Sequence, residues 1–117
     1  MSMLNKEFGK YEASFSISVS GVNHKACIDT YNRFKHLIKA LDWGDIAIHE
    51  SKDARKGPVL KREINITYTA FPDDIIAFRE ILDRTIFKIN LFGEGLYSAV
   101  LNRCTVLRSD RFSDFFD

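Results

Sequence analysis

From Tyr11 to Ser20 the chain alternates without a break, with Tyr11, Ala13, Phe15, Ile17 and Val19 on one side and Glu12, Ser14, Ser16, Ser18 and Ser20 on the other. Successive side chains of an extended chain point to opposite faces, so this run reads as a half-buried strand with one apolar and one polar face. Such a strand constrains the rest of the chain, because an apolar sheet face must be covered by another layer. The period changes at Gly21. Beyond it Cys27, Tyr31, Phe34, Ile38 and Leu41 recur at spacings of 4, 3, 4 and 3, with Lys25, Asp29, Arg33, Lys35 and Lys39 between them. That is the stripe of an amphipathic helix, with Asn23 placed as its N-cap and Gly44 as a left-handed residue near its end.

Two further strands come next. Ile46 and Ile48 alternate with Ala47 and His49, and Ile64, Ile66, Tyr68 and Ala70 alternate with Glu63, Asn65, Thr67 and Thr69. The intervening SKDARKGPVLKR has Gly57-Pro58 at its middle and no apolar period, so residues 51–62 read as the extended loop of a β-hairpin. Pro72 with Asp73 and Asp74 directly behind it is a helix start, and Ile75, Phe78, Leu82, Ile86 and Ile89 carry the helical period onward. Residues 85–92, TIFKINLF, are rich in strand formers and also alternate, so an extra hairpin strand there competes with a helix to about Leu91. No turn residue separates Asp83 from Thr85, while Gly93-Glu94-Gly95 is a strong stop, which favours the helix. Residues 96–107 form a last strand.

The resulting order β-α-β-β-α-β predicts an α+β fold of the ferredoxin-like, split βαβ kind, an antiparallel sheet with both helices on one face. With 117 residues there is room for one such domain over 1–108, and 109–117 is left as an acidic, aromatic C-terminal tail. Seventeen Lys+Arg against sixteen Asp+Glu give a net charge of +1, which excludes a strongly basic nucleic-acid protein at the level of the whole chain. The N-terminus has no apolar run of signal-peptide length, and no uncharged apolar stretch is long enough to span a bilayer. Cys27 and Cys104 have neither metal-site nor CxxC spacing. The expectation is a cytoplasmic protein with reduced thiols, without membrane contact.

Chemistry-bearing patterns are scarce. An RNA recognition motif needs aromatic rings on the open face of its third strand, where this chain has Glu63, Asn65, Thr67 and Thr69. A phosphate-cradling loop after the first strand needs glycines and an arginine that SGVNHK lacks. His24 and His36 would sit about 120° apart around a helix, and His49 and Glu50 would point to opposite strand faces. No nucleophilic triad order and no GxxxxGK loop is present. The expectation is therefore a non-enzymatic protein without cofactor or metal.

Two local features point to binding. Residues 51–62 carry Lys52, Arg55, Lys56, Lys61 and Arg62 against Asp53 alone, a basic finger suited to nucleic-acid phosphates. The tail carries Phe112, Phe115 and Phe116 at helical spacing with Asp110, Asp114 and Asp117, the composition of a peptide that docks in an apolar pocket of a protein partner. The spacing Phe112-x-x-Phe115-Phe116 resembles sliding-clamp-binding peptides, and that resemblance implies a sliding clamp as one candidate partner. It departs from them in having Ser109 where they commonly carry glutamine and Phe112 where they carry an aliphatic residue. The favoured reading is an adaptor that modulates a partner through Phe112, Asp114, Phe115 and Phe116, with nucleic-acid binding as the alternative. A homodimer through the Ser/Thr-rich sheet face or an edge strand is also expected.

Overall fold

In the computed structural model the described residues run from 9 to 108, so the tail residues Phe112, Asp114, Phe115 and Phe116 lie outside them. The elements are β1 (Tyr11–Gly21), α1 (His24–Leu41), β2 (Ile46–Glu50), β3 (Ala54–Lys56), β4 (Val59–Ala70), α2 (Pro72–Gly93) and β5 (Tyr97–Arg108). The fold is α+β: five antiparallel strands and two helices. The main path of the sheet is β2-β4-β1-β5, with β3 paired to β4 beside it.

β1 is central because both its neighbours match its apolar period. Ala13, Phe15 and Ile17 lie opposite Tyr68, Ile66 and Ile64 of β4, and Phe15, Ile17 and Val19 lie opposite Cys104, Leu101 and Ala99 of β5. All these residues therefore share one face. The helices cover it with Cys27, Tyr31, Phe34 and Ile38 from α1 and Ile75, Phe78 and Leu82 from α2. Phe78 is the hub, with ring centroids 4.9 Å from Tyr68, 5.4 Å from Phe15 and 6.0 Å from Trp43. On the opposite face Ser16 and Ser18 are buried by their neighbours, and the Asn102 amide donates to the Ser18 hydroxyl. Asn102 is the extra residue of a β-bulge, since Ser16 pairs with Arg103 and Ile17 with Leu101.

The helix termini obey the sequence signals. Asn23 Oδ1 accepts from the Ala26 amide at 3.1 Å, and Asp42 (φ 48°) ends α1 in the left-handed region ahead of Gly44 (φ 87°). α2 begins at Pro72 with Asp73 and Asp74 in its first turn. It runs unbroken to Gly93, so 85–92 is helix and not an extra hairpin strand. The stripe decides this: Ile86 and Ile89 continue onto the core, and the β-branched Thr85 donates its hydroxyl to the Ile81 carbonyl at 2.8 Å.

One prediction is corrected. Residues 51–62 are not a loop throughout: β3 occupies Ala54–Lys56, Gly57 (φ 59°) and Pro58 make a tight turn, and β4 starts at Val59, so Lys61 and Arg62 are strand residues. Among the described residues the sheet has five strands in place of four. Among the described residues no helix is long and apolar enough to cross a membrane.

Candidate functional site

The β3-β4 hairpin divides its cations between two sides. Arg55 lies opposite Leu60, which is buried under the helices, whereas Lys56 and Lys61 lie opposite Val59 and Ala54 on the alternate side. Lys52, Arg55, Lys56 and Lys61 are exposed and form no ion pair among the described residues. Arg62 differs. Its position opposite Val19 turns it toward α1, where the guanidinium lies 5.2 Å from the Tyr31 ring centroid and makes two bonds to Asp53, 2.6 and 2.8 Å. It is held as a strut between Asp53 and the Tyr31 ring.

The strut adjoins a polar cluster between α1 and the end of β2. Tyr31 Oη, from the buried face of α1, donates to Glu50 Oε1 at 2.6 Å, and Lys35 Nζ, one turn on, donates to the same oxygen at 3.2 Å. Burial, then the bond to Glu50, pushes the Tyr31 hydroxyl well above its ordinary value. The bond from Tyr31, then that from Lys35, lowers the Glu50 carboxyl, and the Arg62 bond lowers Asp53. Cys27 below donates its thiol to the Val19 carbonyl at 3.4 Å, and desolvation raises it, so it is a poor nucleophile. His24 Nε2 donates to the Pro58 carbonyl at 2.8 Å and ties the hairpin turn to the start of α1. The Arg62 and His24 contacts fix the hairpin to the body, and those of Tyr31, Lys35 and Cys27 hold α1 to β2 and β1. Among the described residues no group of three or more His, Cys, Asp or Glu is placed to hold a metal ion.

Two apolar depressions escaped the sequence reading. One lies between the helices, about 250 Å³, with Phe34, Leu37, Ile89 and Phe92 in its walls and Arg33 and Lys88 beside them. The other, about 450 Å³, is formed by Tyr11, Pro72, Ile75, Ile76 and Val106, where β5 nears its end. Both border side chains left in water: Phe92 is 72% exposed, Ile76 58% and Val106 50%. At 100° per residue Ile76, Phe87 and Leu91 fall within about 60° of one another on α2, opposite its buried stripe. A second apolar stripe was the available signal.

No family model matches the chain, and no curated protein matches it. Among solved structures it is similar to the de novo designed protein Foldit4, at 9% identity and a TM-score of 0.59, over 84% of this chain and 98% of that one. At that identity the likeness concerns the fold alone.

Proposed function

We propose that this chain is a small non-enzymatic binding protein, cytoplasmic, that modulates a partner through protein contacts. The observation that carries the reading is the outer apolar stripe of α2, where Ile76, Phe87 and Leu91 are each more than half exposed. A run of large apolar side chains in water on a domain of this size is a feature of interaction surfaces. We read the fold as ferredoxin-like, with β3 as an addition to its central hairpin. In support, each helical connection, β1-α1-β2 and β4-α2-β5, carries the chain past one intervening strand.

In this reading Phe112, Asp114, Phe115 and Phe116 form a docking peptide, with a sliding clamp as one partner to test. The test is capture of host proteins by the tagged full chain against its Phe115→Ala/Phe116→Ala variant. Loss of a specific partner with the melting temperature unchanged supports docking. A loss of several kcal/mol in the variant's own stability, as buried Phe→Ala changes give, refutes it.

Nucleic-acid binding is kept as a second reading because Lys52, Arg55, Lys56 and Lys61 are exposed cations without an ion pair among the described residues. Reversing Arg55 and Lys56 to Glu should then weaken binding equally across sequences and flatten its salt dependence. Failure of the parent chain to retard DNA or RNA at low salt removes this reading.

A further inference from the structure

β5 is an edge strand of twelve residues, and the direction of its backbone groups is set by the rest of the sheet. In β4 the Thr69 amide donates to the Asp45 carbonyl (3.0 Å) and the Glu63 carbonyl accepts from Ser51 (3.1 Å), so these residues turn their backbone groups toward β2 and away from β1. Alternation then turns Arg62, Ile64, Ile66 and Tyr68 toward β1. Their partners Val19, Ile17, Phe15 and Ala13 bond to β4, leaving the even-numbered residues of β1 for β5. The β5 residues opposite the odd positions, Ala99, Leu101, Cys104 and Val106, therefore point their N–H and C=O outward, away from the sheet.

Ala99 bears this out. Its amide donates to Asn90 Oδ1 at 2.7 Å, and its carbonyl accepts from Asn90 Nδ2 at 3.0 Å. The Asn90 side chain, reaching over from α2, takes the place a neighbouring strand would occupy. It guards the first arm of β5, before the bulge at Asn102. The second arm, residues 104–108, has no side-chain cap on its backbone groups among the described residues; Arg79 of α2 lies beside the Cys104 side chain at its start, and the arm contains no proline or acidic residue of the kind that blunts an edge. Leu107 on this arm is 65% exposed, and Val106 lines the groove of Pro72, Ile75 and Ile76.

We propose that this arm is a self-association surface: β5 pairs antiparallel with β5 of a second copy about a two-fold axis at Val106, joining two sheets into one. Symmetry favours a second copy as the occupant. Pairing about Val106 sets Val106 against Val106 and Cys104 against Arg108, so outward-pointing groups meet outward-pointing groups along the whole arm, while a register shifted by one residue sets them against inward-pointing ones. Arg103 lies outside the arm, and the charged position within it, 108, falls opposite Cys104, beside which Arg79 of α2 lies. The two Val106 side chains lie on the helix-covered face, which brings the two Pro72–Ile76 grooves together, the self-complementary arrangement that a two-fold interface requires.

The test is light scattering of the full chain, with an expected mass of twice 13.5 kDa at micromolar concentration. Val106→Pro removes an outward N–H and no bond to β1, a placement edge strands tolerate, and should weaken the dimer roughly ten- to hundredfold with circular dichroism unchanged. Paired residues that exchange backbone bonds have Cα atoms about 5.5 Å apart, within disulfide range, so Val106→Cys in a Cys104→Ser background should cross-link under mild oxidation whether or not the proline variant folds. A control with Lys25→Cys in the same background should not. A monomer at high micromolar concentration overturns the proposal, as does a dimer that survives Val106→Pro and fails to cross-link at 106.

Discussion

Replacing Asn90 by Ala tests how the edge of β5 is closed. The substitution removes two hydrogen bonds to Ala99, whose residue is 1% exposed, so water does not readily replace both. At about 0.5 to 1.5 kcal/mol per bond the loss is about 1 to 3 kcal/mol. Alanine is the better helix former by roughly 0.5 kcal/mol, which leaves a net destabilisation of about 0.5 to 2.5 kcal/mol. At roughly 4 °C per kcal/mol for a domain of this size, that is a fall in Tm of about 2 to 10 °C. Urea unfolding monitored by circular dichroism measures it directly. Asn90→Asp sharpens the test, because it keeps an acceptor for the Ala99 amide but sets a carboxylate against the Ala99 carbonyl; it should destabilise at least as much as alanine. Light scattering of the alanine variant should also reveal new concentration-dependent association through the uncapped arm. An alanine variant as stable as the parent, with no added association, would mean that helix propensity outweighs the cap and would refute the edge-guarding account.

Phe78→Ala, at the centre of three other aromatic rings and fully buried, should cost about 3 to 5 kcal/mol in urea unfolding; a cost below about 1 kcal/mol would contradict the packing. Gly21→Ala should cost about 1 to 3 kcal/mol, because the added Cβ would lie 2.7 Å from Tyr97 Cα and against the Leu96 carbonyl, backbone that cannot swing aside. The pH dependence of stability has two limbs. Glu50 and Asp53 are lowered from 4.5 and 3.8, so their contribution holds above those values and is lost as pH falls below them. Tyr31 is raised from 10.0, so its contribution holds below that value and is lost as pH rises past it; Tyr31→Phe should flatten the alkaline limb of a denaturation series taken against pH.

Much of the architecture was legible because period and burial agree. The alternation of 11–20 became β1, and the stripe from Cys27 to Leu41 became α1 with Asn23 as its cap. The hairpin was misread at one residue type. Leu60, Arg62 and Ile64 share a face with the core, and a guanidinium at the middle position breaks the apolar period that announces a strand. The fold accepts it by laying Arg62 over Tyr31 and pairing it with Asp53, partners that are distant or unremarkable in sequence. The five-cation finger read from the sequence thus contains four exposed cations and one strut.

The edge of β5 was illegible for a related reason. Asn90 falls between apolar positions in the second half of α2, and nothing in its local pattern separates a solvated amide from one that bonds a backbone nine residues ahead. Only the packing of α2 against β5 gives that amide its partner. The cap reaches Ala99 and stops there, because the helix has its N-terminal turns at the other end of the strand, and those turns present Pro72, Ile75 and Ile76 in place of an amide. One helix therefore closes the first arm of the strand with hydrogen bonds, sets Arg79 beside Cys104 after the bulge, and lines the end of the second arm with apolar surface. An edge closed at one end and lined with apolar surface at the other restricts where a pairing strand can begin, and so favours a single register over the sliding that a uniform edge permits.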